Sequence, residues 1–405
     1  MLHAQNWNPV GSGMDNGVWA LFNDTVADLL YVGGSFTSAG GIQANHIASW
    51  DGTSWQSLGT GLDDAVSCIA FYNGELYVGG TFDNAGVDPV NNIARWDGAG
   101  WQAVGNGTDA WIKSLAVYNN ELYAAGFFTV AGGWSVNGIA KWDGVSWWPV
   151  GQGLNDYVNV LQVFDGKLYA GGGFTEADGQ PAYYIASWDG TNWSAVGNGL
   201  SDDVRSMTIF NSNLYVSYDL NIAIWDGTFL TAWGNAVSYG PIFANYNALF
   251  STTAYSVSKW DQLNWSALGS PMNTNILVLQ DYHNELYAGG FFDSVGTTEV
   301  NYLARWDLTT SDELFIESNS NNLSFFPNPF TEYATVRFRA TESGHVKLKI
   351  YNNLNQTVGI LIDQLVQSGQ EFEIPVNETE LPPGIYHLVF ENHRESVAKK
   401  IIKLR

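Results

Sequence analysis

Four short apolar stretches, separated by turn signals, recur along most of the chain. One unit shows the pattern. Val66–Tyr72 is apolar and is read as a first strand, and Asn73-Gly74 is a two-residue hairpin signal. Residues 75–82 form a second stretch that contains the pair Gly79-Gly80. After a longer polar loop come residues 92–96, an Asp97-Gly98 turn, and residues 101–105. Alternation and β-branched or aromatic content predict strands throughout. Glycine inside a strand marks a close approach by a neighbouring backbone.

The unit repeats. Trp-Asp pairs begin at Trp50, Trp96, Trp142, Trp188, Trp225, Trp260 and Trp306, with spacings of 46, 46, 46, 37, 35 and 46 residues. A Leu-Tyr or Leu-Phe pair keeps step with each, from Leu30-Tyr31 to Leu286-Tyr287. A period of this length with four short strands predicts propeller blades. The last unit stops at Trp306-Asp307 without a fourth strand, while residues 7–13 match residues 55–61 position for position. The expected fold is therefore all-β. A seven-bladed β-propeller over residues 1–307 is closed by its N-terminal strand, which leaves no exposed sheet edge. Residues 308–324 are rich in Thr, Ser, Asp, Glu and Asn and read as a linker. Residues 325–405 hold further short alternating strands, among them 336–338 and 346–351, and predict a small C-terminal β-sandwich.

Composition narrows the function classes. The chain has 405 residues, with 59 Trp, Tyr and Phe among them, enough to bury a large core and exclude disorder. Only 14% of residues are charged, which excludes a coiled coil. No apolar run approaches the length of a membrane-spanning helix. Residues 1–319 carry 31 Asp+Glu against 7 Lys+Arg, whereas residues 320–405 carry 9 of each. The whole excess of negative charge thus lies on the repeat region, which repels phosphate backbones and makes nucleic acid an unsuitable partner. Cys68 is the single cysteine, so neither an intramolecular disulfide nor a cysteine metal site can form, and it reads as a small core residue. His3-Ala4-Gln5 has the small-residue character of a leader's end, and the expectation is a signal peptide missing from this chain.

The order of an apolar strand, Leu76-Tyr77-Val78-Gly79-Gly80 and then Trp96-Asp97-Gly98 followed by Trp101 resembles Kelch and galactose-oxidase-type propellers. The segments Gly79-Gly80-Thr81-Phe82 and Ile93-Ala94-Arg95-Trp96-Asp97 are also similar to Rax2-type and delta-60-type repeats. These resemblances imply a fold and leave the function open, because propellers host many activities.

A second resemblance lies in the last 81 residues. Pro327-Asn328-Pro329, the 346–352 strand, Pro383-Gly384-Ile385-Tyr386 and the terminal stretch 400–404 occur in the order of, and resemble, the type A sorting domain of the Bacteroidota type IX secretion system. Asn355 stands where that family commonly has glycine, and asparagine tolerates the left-handed turn required. The resemblance implies a partner, the type IX machinery, and a destination, the medium or the outer cell surface. It assigns Pro327, Asn328, Pro329, Gly384, Tyr386, Lys400 and Lys403 to the sorting motif.

Candidate chemistry gathers on one face of the predicted propeller. The loops at 37–45, 83–91, 129–137 and 175–182 are long, and Asp63, Asp64, Asp109, Asp156, Asp202 and Asp203 lie beside the starts of the first strands. Loops on a rigid scaffold are where ligands bind. Two units are shortened: Asp219 lies in the brief turn that replaces the loop of the fifth, and 251–254 replace that of the sixth. A groove beside a lowered rim is the expectation. Trp134 and Tyr183, in longer loops, are the aromatic candidates. Trp19, Trp111 and Tyr157 adjoin inner strands and are read as packing between blades.

The acidic loops have three readings. Turn solvation is the commonest use of Asp, calcium coordination needs converging oxygens for which no EF-type spacing exists, and a carboxylate pair would make a glycosidase. No catalytic residue is assigned, since the chain has no Gly-x-Ser-x-Gly elbow, P-loop or His-Glu-x-x-His motif. No cofactor is expected, with calcium the alternative. The sequence reading is a secreted or surface binding protein for a polysaccharide or surface protein. An extracellular carbohydrate-active enzyme and a structural adhesin are the alternatives.

Overall fold

The structure is a computed structural model that describes residues 6–233, 238, 240–245, 248–253, 255–260, 265–308, 324–326, 333–340, 343–352, 357–377, 381, 384–391 and 396–403. It is all-β, and the chain divides into two compact units, Met1–Thr310 and Ser311–Arg405. Among the described residues, the first unit is a propeller-like series of seven four-stranded antiparallel sheets. The first sheet runs Val18–Asp24, Leu29–Gly34, Ile47–Trp50 and Trp55–Ser57, and the others repeat this up-and-down order. The seventh sheet joins Ile276–Tyr282, Glu285–Gly290 and Leu303–Asp307 to Asn8–Pro9, with Asn8 opposite Arg305 and Pro9 opposite Ala304. First strands pack against first strands from sheet to sheet, and Ile276–Tyr282 packs against Val18–Asp24.

Two parts of the repeat make this packing possible. The paired tryptophans face each other across the third and fourth strands, as Trp50 does Trp55 and Trp96 does Trp101. In five sheets the second indole of the pair then reaches the preceding sheet: Trp101 donates to the Leu58 carbonyl at 2.9 Å, Trp147 to Val104 at 2.8 Å and Trp7 to Leu268 at 2.8 Å, and Trp55 and Trp193 do likewise. The strand glycines answer to crowding. A Cβ on Gly80 would lie 2.0 Å from the Ala65 carbonyl oxygen, and one on Gly79 would lie 2.7 Å from Ile112 of the next sheet. Past these glycines, Phe36, Phe82, Phe128, Phe174 and Phe292 are fully buried. Cys68 is buried in the core between the second and third sheets, and burial pushes its thiol up to about 12.

The long loops are more ordered than their composition suggests. Each folds back as a two-residue hairpin, such as Ser38–Ala39 with Ile42–Gln43 and Val130–Ala131 with Trp134–Ser135. The first strands of six sheets also carry a bulge near their start, whose extra residues are Trp19, Ser67, Lys113, Asn159, Arg205 and Leu277. The sixth sheet differs: its first strand is only Ile242–Ala244 and has no bulge.

In the second unit, Ser324–Phe326, Tyr333–Arg339 and Glu371–Asn377 form one sheet, and Thr357–Val366, Gly344–Asn352, Gly384–Glu391 and Ser396–Lys403 form another. Both contribute to one core, with Val336 and Phe338 from the first packed with Leu348, Ile350, Leu388, Phe390 and Ile401 from the second. Pro327, Asn328, Pro329, Pro383 and Asn355, residues 309–323 and the Lys400 side chain lie outside the described part of the structure.

Candidate functional site

The face where first strands begin is built by a repeated brace. Asp63 accepts hydrogen bonds from the Asp83 and Asn84 amides at 3.0 and 2.9 Å and from the Asn84 side chain at 2.6 Å. Asp15 and Asp109 hold the matching loops of their own sheets in the same way. Asn155 and Asn273 do so in the fourth and seventh sheets. In the fifth sheet this position is Ser201, and there the loop is gone. In these six sheets the brace, Asp or Asn, and the loop therefore come and go together, because its side-chain oxygen satisfies the amides at the loop's entry. Partial burial raises the Asp15, Asp63 and Asp109 carboxyls, but the hydrogen bonds outweigh it and hold all three below the usual carboxylate range.

The neighbouring acids have smaller tasks. Asp64, Asp156 and Asp202 each accept a hydrogen bond from the amide of the next residue, at 2.7 to 2.8 Å. Asp219 sits with φ 47° in the tight turn between Asn213–Tyr218 and Asn221–Trp225. Among the described residues, no three His, Cys, Asp or Glu side chains come together as a metal site.

These depressed carboxyls make a test. Their folded pKa lies below the unfolded value, so the stability they add is present above about pH 4 and fades as pH falls through the folded pKa. The thermal midpoint of the full chain is expected to hold from pH 7 to pH 5 and to fall below pH 4. Asp63→Asn, which keeps an acceptor as Asn155 does, is expected to flatten that acid limb slightly.

An aromatic stack crosses the same face. Trp111, Phe127 and Tyr157 are near-parallel, with centroids 5.4 and 4.9 Å apart, and the Lys113 ammonium lies 4.2 Å over the Trp111 ring. Trp19 extends the row at 6.0 Å from Trp111, and Phe291 follows at 6.2 Å. Gly173 gives Tyr157 its place, since a Cβ there would lie 2.5 Å from the phenol ring. The rings of Trp19, Trp111 and Tyr157 pack on one another and on Phe127, while Phe127 and Phe291 keep part of their surface exposed.

Beyond Tyr157 the surface opens. Asp203 lies 3.5 Å from the Tyr157 hydroxyl, and burial raises its carboxyl, opposed by the charge of Arg205. Arg205, Ser206, Thr252, Tyr255 and Asn275 border a cleft of about 510 Å³ between the fifth, sixth and seventh sheets. Two departures from the repeat create it. The fifth sheet has Ser217-Tyr218 where the first four and the seventh have glycine at the second strand's end, and Ser217 donates to the Gly240 carbonyl at 3.0 Å. The sixth sheet has lost its loop and half of its first strand. None of the sequence candidates is in the described lining: Asp202 and Asp203 come closest in the chain, just before Arg205, and Asp63, Asp64, Asp109, Trp134, Asp156, Tyr183 and Asp219 are elsewhere. Tyr183 takes the position held by Asn45, Asn91 and Asn137 elsewhere and packs against Gly199.

Comparison with known proteins bears on the far end of the chain. Residues 324–404 match the secretion system C-terminal sorting domain. This is the type IX sorting domain, and it supports export to the medium or the cell surface and engagement with the type IX machinery. Within it, Gly384 opens the strand Gly384–Glu391, Tyr386 is buried and Lys403 ends the last strand opposite Gly384. No curated protein sequence matches the chain. The computationally designed Ika8 protein is 13% identical, with 96% of this chain and 97% of that one covered and a TM-score of 0.46. The AfRom2 CNH domain is 10% identical over 74% of this chain and 98% of its own, at a TM-score of 0.45. A gluconolactonase from Xanthomonas campestris is 14% identical over 73% and 87%, at 0.37. No helix among the described residues is long and apolar enough to cross a membrane.

Proposed function

We propose that this protein is an exported saccharide-binding protein whose first unit is a seven-bladed propeller of Kelch-like strand order closed by Asn8–Pro9. Its ligand seat is the cleft between the fifth, sixth and seventh sheets. The cleft carries the reading: about 510 Å³ bordered by a guanidinium, a half-exposed phenol, hydroxyls and an amide. Such a lining matches a ligand with many hydroxyls and few charges, and export through the sorting domain brings it to where polysaccharides are met. The described residues that line the cleft include no Asp or Glu, and Asp202 and Asp203 stand just before Arg205 in the chain, outside that lining.

The test is affinity electrophoresis of the full chain through gels containing soluble polysaccharides or their oligosaccharides. Retardation by at least one of them is expected, unchanged by chelator, with Arg205→Ala and Tyr255→Ala weakening oligosaccharide binding about tenfold, a loss of about 1.4 kcal/mol each. Equal mobility of both variants and the parent on every ligand that retards the parent would remove the cleft from consideration. Shortened glycans recovered from the gel would replace binding with hydrolysis.

A further inference from the structure

The third sheet breaks the repeat at its outer rim. In the other sheets with a loop hairpin, the hairpin residue and the outward residue of the fourth strand are Ile42 and Gln56, Asp88 and Gln102, Gln180 and Ser194, and Thr298 and Asn8. In the third they are Trp134 and Trp148. Their rings are near-parallel, tilted by 25° with centroids 5.9 Å apart. That separation means the rings are offset rather than eclipsed. Trp134 is 51% exposed and Trp148 42% exposed, although the neighbouring Trp147 is buried. The Trp148 indole is fixed, because its Nε1 donates to the Asp143 carboxylate at 2.8 Å. Hydrogen bonds from the Ser146 amide, the Trp148 indole and the Val145 amide hold that carboxyl below its usual range, so it stays charged and oriented.

From this geometry we infer that Trp134 and Trp148 form a second saccharide site, distinct from the cleft, for pyranose rings of a polysaccharide. The occupant follows from size and chemistry. A tryptophan buries about 150–250 Å² when fully covered, and these two are half covered already, so the pair offers far less than the ~800 Å² per partner of a stable protein interface. It suits one or two sugar rings. A pyranose with equatorial substituents presents a flat C–H face to an indole and a hydroxyl edge to polar neighbours. Those neighbours are present: Asp143, and Lys141, which stands opposite Trp148 in register and pairs with Glu121 at 2.9 Å. Pro149 follows on the same edge strand and has no amide to donate, which disfavours an added strand from a partner protein. Two separate sites on one chain raise avidity for a polymer while leaving short oligosaccharides to one site at a time.

The test compares the full chain with Trp134→Ala, Trp148→Ala and Trp134→Tyr in gels containing hydroxyethylcellulose, mixed-linkage β-glucan or galactomannan. Each alanine variant is expected to weaken retardation by at least one polymer about tenfold, with Trp134→Tyr keeping much of it. All variants should keep the parent's thermal midpoint, since both rings are exposed. The cleft variant Arg205→Ala serves as the contrasting arm: it should impair short oligosaccharides, which the rim variants leave bound as before. The inference is overturned if no polymer retards the parent, or if both alanine variants migrate as the parent does on every polymer that retards it.

Discussion

Trp7→Ala is expected to destabilise the first unit by about 3–5 kcal/mol, as loss of a buried tryptophan does. Trp7 directly precedes the two-residue strand Asn8–Pro9, an arm that would fray if nothing tied it down. Yet Trp7 is 2% exposed, packs on Trp306 with centroids 5.5 Å apart, and donates its indole hydrogen to the Leu268 carbonyl. It does for the seventh sheet what Trp101 does for the second, with the difference that its partners are about 260 and 300 residues away in sequence. If the series of sheets is closed, the two positions are equivalent, and Trp7→Ala and Trp101→Ala should shift the denaturant midpoint by similar amounts. An open array predicts something else: Trp7 would be an edge residue whose loss costs under about 1 kcal/mol, typical of surface positions, while Trp101→Ala remains costly. Side-by-side urea titrations of the two variants therefore test the closing strand directly.

The repeat was legible because its signals are local. Trp50 and Trp55 are neighbours across a turn, Asn73-Gly74 adopts a backbone conformation open to only a few residues, and Gly79-Gly80 marks a close approach of neighbouring chain, so spacing alone locates strands and turns. The candidate site was less legible for the opposite reason. Asp63 meets its partners 20 and 21 residues along the chain, in a loop that composition alone presents as polar and open. A clue did exist: the brace position is Asp or Asn where the loop is present and Ser201 where it is missing. Loop loss in the fifth and sixth units pointed to a groove, but not to its lining, because Arg205 reaches it through a bulge that no spacing rule reveals. Trp134 stood out from its loop, whereas Trp148 was hidden by its neighbour Trp147, which obeys the repeat.

Removing residues 311–405 is expected to abolish export while leaving the first unit folded. The core of the second unit is built from residues 334–401 alone, and the cores of the first unit from residues between Trp7 and Leu308. Each unit therefore carries its own hydrophobic driving force. With a Sec leader and a host that has the type IX machinery, the full chain should reach the medium or the cell surface, and the truncated chain should remain in the periplasm with an unchanged thermal midpoint. A finer cut separates address from fold. Deleting residues 396–405 removes the strand Ser396–Lys403, leaves Gly384–Glu391 unpaired along one of its two edges and takes fully buried Ile401 out of the core. A sorting unit of about 80 residues has little stability to spare, so loss of a core strand should unfold it. Export should then fail as completely as in the full truncation, with the first unit again unaffected. Export of either truncated chain at the full-length level would show that the match at residues 324–404 is not what directs this protein out of the cell.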